Sequence, residues 1–249
     1  MIASPRLTPT RTHIITADDF GLDQGTNEAI AASFAAGLID STSLMAGMPA
    51  FEAGVELARA RGFSHAIGVH LTLSEGAPLT DGIKRLPAFC DADGQYAFAL
   101  SRSKLRLSPA ERTAVYAELR SQIERCRDAG LQLTHLDSHH HTHNVWPIGE
   151  IVIELARRFR IPAVRLARNM GPQIGALKRA FKTAFNARLR WYGLARSDLM
   201  GSVADYISAP PAPRQRAELM VHPAFVDGAL FDRAENQPLE PLLRRAGLC

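Results

Sequence analysis

Residues 12–46 read THIITADDFGLDQGTNEAIAASFAAGLIDSTSLMA, and the period of this stretch decides the fold. Thr12 to Ala17 is a short apolar run rich in Ile and Thr, the pattern of a buried strand, and it delivers Asp18 and Asp19 at its carboxyl end. Asn27 to Ala36 then has helical spacing and ends at Gly37, and Ser41 to Ala46 reads as a second strand. Strand, helix and strand in this order make a parallel βαβ unit.

The alternation continues along the chain. Phe51 to Arg61 predicts a helix stopped by Gly62, and Ala66 to Leu73 a third strand carrying His70. Pro109 to Ala129 is the longest predicted helix, with Pro109 in its first turn and Gly130 at its end. Thr134 to His139 reads as a fourth strand, Glu150 to Phe159 as a helix, Ala163 to Ala167 as a strand and Ile174 to Tyr192 as a helix with a basic face. A sixth strand is expected at Ala204 to Ile207 and a further one at Glu218 to His222, with three prolines between Ser208 and Arg214 and little room for a helix between them. Residues 74 to 107 are rich in Gly and Pro and predict a long functional loop. Length and order match a (β/α) barrel of about 250 residues. The expectation is an α/β, barrel-like fold, one domain over residues 1–249 with its core at 12–227, distorted or incomplete towards the C-terminus.

Composition permits an enzyme and disfavours most other classes. Of the 249 residues, 46% are apolar and 22% charged, which excludes a disordered chain. The net charge of +4 is mildly basic, but no nucleic-acid motif or aromatic interleaving accompanies it, so no nucleic-acid partner is expected. Cys90, Cys126 and Cys249 show no metal-knuckle or disulfide spacing, which points to a reducing, cytoplasmic compartment. The first residues lack an apolar leader core, and no apolar run is long enough for a transmembrane segment.

Polar residues fall where barrel enzymes place their chemistry. Asp18, Asp19, His70, His139 and His222 all lie at the carboxyl ends of predicted strands. Each has an ordinary alternative: Asp18-Asp19 could cap a helix, and a lone histidine such as His70 or His222 is more often a hydrogen-bonded core residue than a ligand. Asp19-Phe20-Gly21 imitates a kinase tripeptide, but no glycine-rich loop precedes it. Four histidines within the five positions 139 to 143, between a strand and a helix, are harder to explain without a metal. Imidazole with carboxylate suits zinc, iron or manganese and, less naturally, magnesium. Only part of the cluster can reach one ion, because alternate residues of a strand face opposite ways.

Four co-linear strings carry a family resemblance: Thr-Ala-Asp-Asp-Phe-Gly-Leu at 16–22, Gly-Val-His-Leu-Thr-Leu-Ser-Glu-Gly-Ala-Pro-Leu at 68–79, Thr-His-Leu-Asp-Ser-His-His-His-Thr-His at 134–143 and His-Pro-Ala-Phe at 222–225. They resemble the YdjC-like carbohydrate deacetylases, which include the chitooligosaccharide and hopanoid-biosynthesis-associated deacetylases. The resemblance implies one divalent ion, magnesium or zinc, held by Asp19, His70 and His139. It also implies Asp18 as general base and His222 as general acid. An acetylated sugar or oligosaccharide, or a sugar-bearing lipid, is the implied substrate, and members are often homo-oligomers. Phe20, His141, Trp146 and Phe225 are candidate substrate contacts.

The residue types suit amide hydrolysis, which needs an activated water, stabilisation of the oxyanion and a proton for the departing amine. Two other readings use similar residues: a metal-dependent phosphoesterase on a barrel, favoured by the basic segment Lys178 to Arg196, and a sugar-binding protein without catalysis. An acid and a base together count against the second.

Overall fold

The computed structural model describes residues 12–171 and 175–249. Its elements run β1 (His13–Phe20), α1 (Gln24–Ala35), β2 (Ser41–Leu44), α2 (Phe51–Ala60), β3 (Ile67–Leu71), α3 (Asp81–Lys84), α4 (Pro109–Asp128), β4 (Leu136–Ser138), α5 (Trp146–Phe159) and α6 (Ala176–Trp191). Then come β5 (Leu199–Ser202), α7 (Val203–Ser208), β6 (Ala217–Val221), β7 (Pro223–Val226), β8 (Ala229–Asp232), β9 (Gln237–Pro238) and α8 (Leu239–Arg245). Ile174, the expected first residue of α6, lies outside the described residues.

Six strands pair in parallel in the order β4-β3-β2-β1-β6-β5. Helices cover the sheet, so its strands are buried on both faces: every residue of β2 and β3 is inaccessible. The sheet curls strongly. Leu136 N donates to Ala163 O and Arg165 N to Leu136 O at one edge, while Asn169 N and Met170 N donate to Met200 O at the other. Five strand spacings in a flat sheet would separate those edges by about 24 Å. Four residues of chain from Arg165 to Asn169 reach only about 14 Å. The α/β barrel-like expectation therefore holds, with residues 163–170 running between the two edges.

Several local expectations need correction. Residues 163–167 form no full strand: Val164 alone pairs, with Leu136. The strand expected at Ala204 to Ile207 is helix α7, because Ser202 and Asp205 form a reciprocal capping box that starts a helix there, and the strand is the preceding β5. Thr134 to His139 shrinks to Leu136–Ser138, and His139 opens a 3-10 turn. The C-terminal part is rebuilt: β7, β8 and β9 form an antiparallel sheet whose first strand packs on α1. A two-residue Asp227-Gly228 turn joins β7 to β8, both residues having the positive φ (49° and 79°) that a tight hairpin demands.

The long loop is tied down. The buried Glu118 of α4 accepts hydrogen bonds from Leu79 N, Thr80 N, Thr80 Oγ1, Tyr96 Oη and Gln122 Nε2. Arg102, further along the loop, donates to the carbonyls of His140 and His141. Charge-assisted bonds of this kind hold the loop against the histidine turn.

Candidate metal centre and its cleft

A regular strand would aim Asp18 and Asp19 at opposite faces. β1 avoids this by a bulge. Against β2 its register slips by one residue between Ala17 and Phe20, and Asp19 takes φ 69°. The bulge turns both carboxylates into one cleft of about 450 Å³, which His70, Glu75, His139, His140, His141, His222 and Arg233 also line.

Asp19 Oδ1 lies 2.9 Å from His139 Nδ1 and 3.4 Å from His70 Nε2. It is buried and makes a good hydrogen bond to neither. Three ligand-type atoms that converge without bonding one another fit a shared cation; Glu75 with His139 and His140, and Asp18 with His70 and Asp137, also converge, but Arg165 already occupies Asp18 and Asp137. The imidazoles are prepared for it. His70 Nδ1 faces Asp137 Oδ1 at 2.8 Å and Ser43 Oγ at 3.0 Å, leaving Nε2 directed at Asp19. His139 Nε2 faces Glu75 Oε2 at 2.7 Å, leaving Nδ1 for Asp19. Burial disfavours a charged His70, but Asp137, Asp19 and Asp18 outweigh it and lift its pKa to about 10. The position thus calls for a positive charge, and an ion at Nε2 meets that demand in place of the proton. Burial pushes the Asp19 carboxyl up, but the close imidazoles of His139 and His70 and the charge of His70 and His222 outweigh it and hold Asp19 well below the usual carboxylate range.

Beneath the cleft lies a buried ionic knot. Arg165 donates two hydrogen bonds of 2.7 Å to Asp18 and one of 2.8 Å to Glu218, and its Nη2 stands 2.8 Å from Asp137 Oδ2. Arg196 adds a second cation on Glu218. These contacts fix Asp18 in orientation. His222, between β6 and β7, brings Nε2 to 3.9 Å from Asp18 Oδ2. Its own backbone N–H donates to the buried Asp232 of β8, whose pKa burial raises. Arg233 Nη2 is 3.1 Å from Asp19 Oδ2.

The structure therefore brings Asp18, Asp19, His70, His139 and His222 together. His141 lines the same cleft, and burial with the nearby Arg165 charge lowers its pKa to about 3, so the ring is neutral. His140 and His141 both adopt left-handed backbone (φ 50° and 53°), which splays the histidine run. His135 and His143 are core residues. A Cβ on Gly68 would sit 2.4 Å from the His135 ring, which explains the glycine two residues before His70. Phe20 is no substrate platform: it is wholly buried against Phe63. Trp146 packs on Phe181 and Phe185, and neither it nor the exposed Phe225 is among the cleft-lining residues. Sequence reasoning passed over Glu75, Asp137, Arg165, Glu218, Asp232 and Arg233. Of these, Arg165 left a trace, a single charge inside the apolar run Ala163 to Ala167.

Fold and cleft define a class: a curled parallel α/β sheet with a carboxylate–imidazole set able to hold a divalent ion at the carboxyl edge of its strands. The particular family follows from comparison. The chain belongs to the YdjC-like protein family, whose sequence model matches residues 13–246. It is 33% identical over 220 residues to a carbohydrate deacetylase of Brevibacillus brevis, covering 88% of this chain and 83% of that one. It is 36% identical over 220 residues to a carbohydrate deacetylase of Geobacillus stearothermophilus, covering 86% and 80%. A crystal structure of an Enterococcus faecalis protein, described as a candidate cellobiose-phosphate cleavage protein, superposes with a TM-score of 0.66 at 23% identity, over 95% of this chain and 89% of that one. That likeness concerns the fold.

Proposed function

We propose that this protein is a metal-dependent hydrolase that removes an N-acetyl group from an acetylated amino sugar or oligosaccharide, or from a sugar-bearing lipid. The observation that carries this reading is the convergence of Asp19, His70 and His139 on one point, with Asp18 and His222 beside it in the same cleft. The family and the names of its relatives support it. Asp19, His70 and His139 hold the ion. Two imidazoles and a carboxylate suit zinc, with magnesium the second candidate. The family match supports treating residues 1–249 as one domain with its core at 12–227. The free thiols of Cys90, Cys126 and Cys249 support a cytoplasmic setting.

When bound, the ion acidifies a water and polarises the acetyl carbonyl. Asp18, clamped by Arg165, accepts the proton of the attacking water. His222, whose Nε2 lies 3.9 Å from Asp18 Oδ2, delivers a proton to the departing nitrogen, without which the amine would leave as an anion. His141, neutral in the cleft, offers a hydrogen bond to a sugar hydroxyl. Roles of this acid–base type each contribute about 10²–10⁴ in rate.

Acetate release from N-acetylated chitooligosaccharides, with and without a chelator, tests the reading, with phosphate release from a generic phosphoester run in parallel. Acetate should appear, stop on chelation and return with zinc or magnesium, and His70→Ala should lose most of the bound ion while staying folded. Phosphate release in place of acetate would transfer the site to the phosphoesterase reading.

A further inference from the structure

Helix α6 has two apolar sides, and the fold uses one. Phe185 and Leu189 are buried against the body of the protein, Asn186 bonds both backbone groups of Ala167, and Phe181 packs on Trp146. On the opposite side Leu177, Ala180, Ala184, Ala187 and Trp191 recur at spacings of three and four, which places them in one stripe about 21 Å long. All five are exposed, Leu177 and Trp191 at 86% each. The helix carries Lys178, Arg179, Lys182, Arg188 and Arg190 and no acidic residue. Glu150 neutralises Arg188. Arg190 donates to the Asp198 carbonyl and keeps its charge, and among the described residues no ion pair involves Lys178 or Arg179.

From this pattern of exposed side chains and charge we infer that α6 is a docking helix for an anionic membrane surface, lying along the bilayer with Leu177 and Trp191 as its two anchors and Arg179 and Arg190 among the lipid headgroups. Arg179 and Arg190 border the stripe on one side and the paired Arg188 on the other, while Lys178 and Lys182 share the angular face of Phe185 and Leu189. An apolar stripe bordered by cations is the composition of an interfacial helix, and Trp favours the headgroup boundary. A second copy of this chain is the poorer occupant. The alanines would let two α6 helices approach closely, and the closer they came the more directly their unneutralised cations would oppose one another. The inference is independent of the proposed deacetylation.

Vesicle flotation with the full chain tests it, using phosphatidylcholine alone and phosphatidylcholine mixed with phosphatidylglycerol. The protein should float with the anionic vesicles, be released by salt and show a blue shift of Trp191 emission on binding. Leu177→Glu with Trp191→Glu should weaken binding by about tenfold or more, and Arg179→Gln with Arg190→Gln should weaken it on anionic vesicles. Both variants should keep the wild-type circular-dichroism spectrum and urea midpoint, which reports that they fold. Three results would overturn the inference: no flotation, equal flotation with neutral vesicles, or a dimer in light scattering that Trp191→Glu converts to monomer.

Discussion

The two sides of the cleft are made of different material. Asp18, Asp19, His70 and His139 stand at the ends of the central parallel strands, backed by Ser43, Asp137, Arg165 and Glu218, all buried. His222, Asp232 and Arg233 belong to the junction of β6 with the antiparallel hairpin. There the side chains of His222 and Arg233 are 23% and 40% exposed. On the sheet side the catalytic geometry and the stability of the core are one problem; on the hairpin side they are separable.

Replacing one arginine on each side is the harshest test of that contrast. Arg165→Met leaves Asp18, Asp137 and Glu218 sharing a buried space without their central cation, and breaking such a set costs about 3–5 kcal/mol. Arg233→Met removes a partly exposed pair with Asp19, which is worth under about 1 kcal/mol after solvent screening. Urea unfolding of both variants should show the gap. Similar midpoints would mean that the knot under the cleft contributes nothing special to the fold.

Chemistry separates the two aspartates of the bulge. Asp18→Asn should retain the ion, since both Asp18 oxygens are taken up by Arg165, yet lower turnover by about 10²-fold or more because an amide cannot take the water proton. Loss of metal from that variant would exchange the roles of Asp18 and Asp19.

The sheet side should also report on pH. His70 has its pKa raised to about 10 in the folded protein against 6.5 in its ordinary state. Stability from its imidazolium is therefore complete below about 6.5 and lost as pH climbs towards 10. Metal-free protein should show a thermal midpoint that declines across that window, and loading with zinc should flatten the decline. An unchanged slope on loading would remove His70 from the ligands.

Much of the sheet side was legible because strands with both faces buried leave continuous apolar runs, and a charge at the end of such a run, as in Ala17-Asp18-Asp19 or Val69-His70, stands out. The bulge was not legible, since it exists only in the pairing of β1 with β2. Arg165 was visible but had no interpretation until three strands brought carboxylates to it. On the hairpin side two signals were present and went unused: Ser202-x-x-Asp205 announces a helix start, and Asp227-Gly228 announces a hairpin. Asp232 and Arg233 offer no such signal. Their place near His222 and Asp19 depends on β8 folding back along β7, a relation between segments with no periodic trace.

The smallest effect expected is on the hairpin side, and it asks whether that side does more than hold a histidine. His222→Ala should impair amide deacetylation far more than hydrolysis of an activated aryl acetate, because an aryl oxide leaves without a proton and an amine does not. Asp232→Asn is the finer probe. The amide oxygen can still accept the His222 and Ala234 N–H groups that Asp232 Oδ1 accepts now, so the hairpin keeps its shape. What disappears is a carboxylate beside the imidazole, in a buried site where burial already raises the Asp232 pKa. Asp232 interacts electrostatically with that imidazole, the group that hands over the proton. Its loss should lower kcat on the amide by an order of ten, about 1.4 kcal/mol, with KM, bound metal and aryl acetate hydrolysis little changed. A loss shared equally by amide and ester would instead make Asp232 a support for the cleft wall.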